Sequence, residues 1–351
     1  MTTSDRIVGI GECKQVGPHA IKASVDEMKP FLIGQDPFDV EKIAETVIRG
    51  ASRAGCCHEA SKIRAMAGIN IALWDIIGKA VGKPVYQLIG GCYRNKIRAY
   101  ASAGEWKQKP EDLAREACIY VKEGFTAFKM RLGLGLRTDT EMIRAVRDAV
   151  GDTMDLMVDN SCLYDVKTAI RVARELQKYN VLFYEEPIPE SDIDGYIKIR
   201  SAVDIPIAGG ECLLTRYDMQ ARIERGAYDI VQTDCTNAGI SESRKVAFMA
   251  SLHGMLCVPH TWGNAVAIAA NVHLAASIPN GWMVEMDRTF NPMRTEIVRN
   301  PIVVDNGYVQ VPQEPGLGLE LNDQILQKFH YVDEPRSVYG MDVGFPVKVE
   351  Q

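Results

Sequence analysis

From residue 98 onward, short runs rich in β-branched and aromatic residues alternate with longer segments whose apolar positions recur at helical spacing. The runs are RAYASA (98–103), AFKMRL (127–132), DLMVDN (155–160), VLFYEE (181–186), IPIAGGE (205–211), YDIVQTD (228–234), MLCVPH (255–260) and WMVEMD (282–287). Runs of this kind predict strands, and the segments between them predict helices. Pro110 with Glu111 and Asp112 opens one helix, and Thr138 with Glu141 three residues later reads as a capping box before another. Gly124, Gly151 and Gly254 stand where helix C-caps are expected. Eight strand–helix units predict an α/β chain with a parallel sheet closed into a (β/α)₈ TIM-type barrel over 98–290. An open doubly wound sheet is the alternative, but it usually carries a Gly-rich phosphate turn after its first strand, which is absent here.

The flanks read differently. In 1–97, GQDPFDVEKIAETVIRG and the stretch around AMAGINIALWDIIGKAVGK are helical, with Asp36 before Pro37 starting one helix. After 290, PIVVDNGYVQVP predicts a hairpin across Asn306-Gly307. We expect 1–97 to form a small α+β capping domain, with 291–351 returning to it. Residues 50–60, GASRAGCCHEA, either line the pocket or form a plain surface connection.

Composition adds mainly exclusions. With 46% hydrophobic and 25% charged residues, the 351-residue chain is ordinary globular protein. A net charge of −6 and no basic cluster argue against nucleic acid. Nine scattered cysteines without C-x-x-C spacing read as reduced thiols. The opening MTTSDRIVGIGE lacks the basic and apolar regions of a secretory signal, and no apolar run reaches spanning length. A soluble, cytoplasmic protein with no membrane partner is expected.

The chemistry lies at the strand ends. Asp159, Glu185 and Glu211 close three successive strands, at intervals of 185 − 159 = 26 and 211 − 185 = 26. That is one strand–helix repeat, so the carboxylates recur at one height, at the end where barrel enzymes keep their active sites. Facing one another, they would repel strongly unless a hard divalent cation lay between them. An all-oxygen set favours Mg²⁺ over Zn²⁺. Asp234, His260 and Glu285 continue the series at intervals of 23, 26 and 25. Asp234 on a neighbouring strand would orient the His260 imidazole and favour its charged form. Lys129 and Arg131, two apart on the second strand, point to one side while Met130 points away. Singly, each acid reads as a helix cap or loop residue, the histidine as an ordinary hydrogen-bonded core group, and the cations as surface charges. Seven or more polar groups in register at one end of the strands would be costly to bury without purpose.

The set resembles the enolase superfamily, mandelate racemase branch, nearly end to end. The motifs carrying the resemblance are GIGE (9–12), GINIALWDIIGKAVGKPVYQLIGG (68–91), FKMR (128–131), VDN (158–160), YEEP (184–187), GGE (209–211), the Asp234 and His260 pair, and VEMDRT (284–289). The resemblance implies Asp159, Glu185 and Glu211 as Mg²⁺ ligands and His260, with Asp234, as general acid/base. It puts Lys129 and Arg131 at the Lys-x-Lys site on the opposite face, and Glu285 on the substrate carboxylate. It also implies a small-molecule acid-sugar substrate, an enediolate stabilised by the metal, and a homo-oligomer.

Two departures shape the expectation. Arg131 replaces the second lysine and is a poor base, so single-base elimination by His260 is favoured over two-base racemisation. With VEMDRTFNP, PHTWG (259–263) and PGLGLEL (315–321), this points to acid-sugar dehydratases and galactarolactone cycloisomerases. The alternatives are a racemase or epimerase of a 2-hydroxy acid, or a catalytically impaired binding relative. The muconate-cycloisomerase branch would place a lysine where Asp234 stands. The chain also opens near the family's third strand, so the N-terminal part of the cap and its lid are expected to be missing.

Overall fold

The computed structural model describes residues 1–14, 17–53, 60–104 and 109–329. Most of the 50–60 segment, with Cys56 and Cys57, lies outside the described residues. The first four helices are α1 (Pro18–Leu32), α2 (Val40–Arg53), α3 (Ala60–Val81) and α4 (Val85–Ile89). Asp36 caps the 3₁₀ turn leading into α2, its side chain accepting from Phe38 N–H, as the Asp-Pro start implies.

The barrel follows as β1 (Lys96–Ala103), α5 (Pro110–Lys122), β2 (Ala127–Arg131), α6 (Leu136–Val150), β3 (Asp155–Asp159), α7 (Val166–Leu176), β4 (Val181–Glu185) and α8 (Ile193–Ala202). It continues through β5 (Ile207–Gly209), α9 (Arg216–Glu224), β6 (Ile230–Val231), α10 (Cys235–Leu252), β7 (Leu256–Cys257), α11 (Ala265–Ser277) and β8 (Met283–Asp287). Each strand pairs in parallel with the next from β1 to β7, and β8 pairs in parallel with β1. A parallel bridge between Cys257 and Gly281, with Cys257 N–H on Asn280 O and Trp282 N–H on Cys257 O, completes the ring. Side-chain alternation sorts the core into two shells. Tyr100, Ala127, Met157, Phe183, Ile230 and Met283 fill the cylinder, while Ala99, Phe128, Met130 and Val158 face the surrounding helices.

All eight expected strands are present, but β5, β6 and β7 are shorter than their runs. Their polar ends leave the sheet to turn across the mouth; Gly210, at φ 102, makes the turn after β5. The expected capping box at Thr138 is not formed. Helix α6 starts three residues earlier, with Gly135 (φ 107) as its N-cap, because Asp139 accepts from Gly133 N–H (3.1 Å) and Leu134 N–H (3.0 Å) and so satisfies the turn itself. The tail forms the expected hairpin, β9 (Val304–Asp305) and β10 (Tyr308–Gln310). Asn306 (φ 48) and Gly307 (φ 77) turn it, and β10 runs antiparallel to β1. A last helix, α12, spans Asp323–Lys328.

The N-terminal helices lock onto the barrel along α3 and α10. Asn70 Nδ2 and Trp74 Nε1 donate to Ser241 Oγ at 2.9 and 3.1 Å, and Ser241 N–H returns a bond to Asn70 Oδ1. The segment 9–14 lies directly on α3, because a Cβ on Gly11 would fall 1.9 Å from Gly68 O. The glycines of GIGE and GINIA thus allow backbone-to-backbone contact that carries Glu12 and Lys14 to the barrel mouth. Among the described residues, no helix is long and apolar enough to cross a membrane.

Candidate active site

The expected polar residues gather at the C-terminal ends of the strands. Arg131, Asp159 and Glu185 stand side by side in register on β2, β3 and β4. Glu211 follows two residues after β5. Asp234 follows β6, where it both caps α10, accepting from Thr236 N–H at 2.7 Å, and holds His260. One side chain thus caps a helix and contacts the imidazole.

His260 is the hub. Its Nδ1 lies 2.9 Å from Asp234 Oδ2, while Nε2 lies 3.2 Å from Glu211 Oε2 and 3.8 Å from Glu285 Oε2. Burial by itself would lower the imidazole pKa, but Glu211, Glu285 and the Asp234 hydrogen bond together hold it above 6.5, with Lys14 opposing. Burial would raise the Asp234 pKa, yet the His260 hydrogen bond and the Lys14 charge bring it down to about 2. The pair is a carboxylate and an imidazole whose charged form the surrounding acids favour.

Lys129 is buried and clasped between two carboxylates. It donates to Glu185 Oε1 and lies 2.9 Å from Glu285 Oε1. Burial alone would discharge it, but Glu185 and Glu285 hold its pKa well above 10.5. Glu285 also accepts from Thr261 N–H at 2.8 Å, which ties β8 to the PHTWG loop. Arg131 is arranged otherwise: its guanidinium stacks on the Trp262 ring at 4.5 Å and reaches Ser161 Oγ at 3.4 Å.

The carboxylates are crowded. Burial raises Glu185, Lys129 pulls it back, and Asp159, Glu285 and Glu211 push it up again, to about 8. Its second oxygen accepts from Gln232 Nε2. Asp159 accepts from Ser161 N–H at 2.7 Å. Among the described residues, Glu186, Glu211 and Cys212 bring ligand atoms within 4.8 Å of one another.

Several residues here escape sequence reasoning. Gln232 lies two before Asp234, and period-two alternation would have placed both on one face. Lys14 carries no such signal. It sits in an irregular segment pinned by its N–H to Thr236 O, with Nζ 3.3 Å from His260 Nδ1 and 3.6 Å from Asp234 Oδ2. Glu12 accepts from Asn264 N–H (2.8 Å) and Ala267 N–H (3.0 Å) at the start of α11, and burial pushes its pKa up to about 7.

Residues 112–325 match the family model described as enolase C-terminal domain-like. Residues 1–90 match the mandelate racemase / muconate lactonizing enzyme N-terminal domain. The chain is 38% identical over 343 residues to D-galactarolactone cycloisomerase of Agrobacterium fabrum, covering 94% of this chain and 89% of that one. It is 34% identical to arabinonate dehydratase of Saccharolobus solfataricus, covering 93% and 88%. The crystal structure of 3,6-anhydro-D-galactonate cycloisomerase from Zobellia galactanivorans matches with a TM-score of 0.88 at 35% identity, covering 93% of this chain and 92% of that one.

Proposed function

Because the chain belongs to the mandelate racemase / muconate lactonizing enzyme family of the enolase superfamily, we propose that it is a lyase or isomerase of acid sugars, removing the proton next to a carboxylate and expelling a β-oxygen. The observation that carries this reading is His260, set between Asp234 on one ring nitrogen and Glu211 and Glu285 near the other. Neutral His260 takes the α-proton at Nε2 while Asp234 holds the ring. The electron pair of the broken C–H bond forms the new double bond as the β C–O bond breaks. The departing oxygen, a hydroxyl in dehydration or a ring oxygen in cycloisomerisation, takes a proton, which the charged imidazole can return.

Lys129, held by two carboxylates, stays a fixed cation facing the developing negative charge. Arg131, stacked on Trp262, is a binding group. One competent base favours elimination over the proton exchange between two faces that racemisation requires. Glu285 shares the proton network around the substrate carboxylate. Lys14 adds a positive charge beside the dyad.

Asp159, Glu185 and Glu211 offer a hard cation an all-oxygen donor set, with Asp159 and Glu185 in register on β3 and β4; of the three, only Glu211 belongs to the trio already within 4.8 Å among the described residues. Mg²⁺ bound there would supply the fixed positive charge that makes the α-proton acidic. The scattered cysteines, seven of them free thiols among the described residues, support a reducing cytoplasmic setting. We extend the reading to a homo-oligomer whose small capping domain is built from 1–97 and 291–351 around the 98–290 barrel.

The test is turnover of a panel of aldonates, aldarates and their lactones with Mg²⁺. At least one member is expected to be converted. His260→Asn should lower its kcat by about 10²–10⁴-fold, the contribution of a positioned base. Undiminished turnover in that variant would remove His260 from the chemistry.

A further inference from the structure

Beside the His260–Lys129 centre, and sharing Glu211 with it, a second group of donors converges. Glu186, Glu211 and Cys212 place two carboxylate oxygens and a thiol sulfur within 4.8 Å of one another. Zinc–sulfur and zinc–oxygen bonds of about 2.3 and 2.0–2.2 Å put neighbouring ligands roughly 3–4 Å apart. Small side-chain rotations therefore close the group onto one ion. Cys212 follows Glu211 directly in the turn between β5 and α9, with Sγ 3.9 Å from Glu211 Oε1.

The independent observation is Glu186. Its side chain is 5% exposed, yet Oε1 is buried and has no hydrogen-bond partner among the described residues. A buried carboxylate oxygen left without a donor is costly and points to a ligand. Its acidic neighbours, Glu211, Asp159, Glu190 and Glu185, do not supply that partner; they repel it.

We propose that Glu186, Glu211 and Cys212 form a second metal position for a thiophilic divalent cation such as Zn²⁺ or Co²⁺. On binding, Cys212 releases its thiol proton to solvent and the thiolate, two carboxylates and water complete the coordination. The set goes beyond the proposed Mg²⁺ ligands and shares only Glu211 with them. Occupancy takes the shared ligand Glu211 from the proposed Mg²⁺ set, so the second ion opposes the reaction that Mg²⁺ supports.

The experiment is Co²⁺ titration of the purified protein in excess Mg²⁺, followed by thiolate-to-cobalt charge-transfer absorption. A saturable band at one equivalent is expected. Cys212→Ser, at an exposed position, should abolish the band with an unchanged circular dichroism spectrum, Glu186→Gln should weaken Co²⁺ binding tenfold or more, and Asp159→Asn should leave the band intact. A band that persists in Cys212→Ser assigns the ion to another cysteine and overturns the proposal, as does saturable Co²⁺ binding without a band. Loss of the band in Asp159→Asn would place the ion in the acidic set alone and would also overturn it. The readout is spectroscopic, so it stands or falls independently of turnover.

Discussion

Lys14 is the single side chain whose removal discriminates most finely within the dyad. Its ammonium, 3.3 Å from His260 Nδ1, disfavours a second positive charge on the ring, whereas Glu211, Glu285 and Asp234 favour one. As the proposed base, His260 acts only when neutral, so kcat/KM is expected to rise with pH as the imidazole, with its pKa held above 6.5, loses its proton. Lys14→Met removes an opposing charge and is expected to move that midpoint upward; a pH profile of kcat/KM measures it, and a downward shift would contradict the assignment. Residues such as Asp159, Glu185 and His260 are legible in the sequence because they end regularly spaced β-type runs. Lys14 and Cys212 lie in irregular segments with no period to say where they point, so only the folded chain reveals their neighbours.

Among elements, the N-terminus of α11 is tied to the N-terminal segment of the chain. Glu12 spans the N–H groups of Asn264 and Ala267, just after PHTWG. Burial outweighs those hydrogen bonds and raises its pKa from 4.5 to about 7. Between those values the folded protein keeps a proton that the unfolded chain has released, so this group's contribution is full below pH 4.5 and declines as pH rises towards 7. Relative to non-titrating Glu12→Gln, the wild-type urea midpoint should therefore fall as pH rises through that window; a wild-type midpoint that rises relative to the variant's would refute the role. Strand positions are readable from β-branched runs and turn residues. The start of α6 is not, because Asp139 satisfies the preceding turn through space and overrides the local Thr138 signal.

On the scale of the whole molecule, three distant segments meet at Asp75, which is fully buried. It accepts from Ile10 N–H at 3.0 Å, Leu317 N–H at 2.8 Å and Lys79 Nζ at 2.7 Å. The ALWD and PGLGLEL motifs, informative in the sequence only as a resemblance, prove to be two sides of one polar lock. Asp75→Ala leaves one buried and one half-buried backbone donor unsatisfied and is expected to cost roughly 2–4 kcal/mol, read from the urea midpoint; a change within experimental error would deny the lock. In the proposed reading, the barrel and the segments packed on its mouth serve one act, removal of a proton beside a carboxylate by His260. The most direct measurement is the α-proton resonance of a converted acid sugar, followed by NMR in D₂O with Mg²⁺. The resonance should disappear with wild-type protein and persist with His260→Asn or after chelation of the metal. Its disappearance at an undiminished rate with His260→Asn would contradict the account.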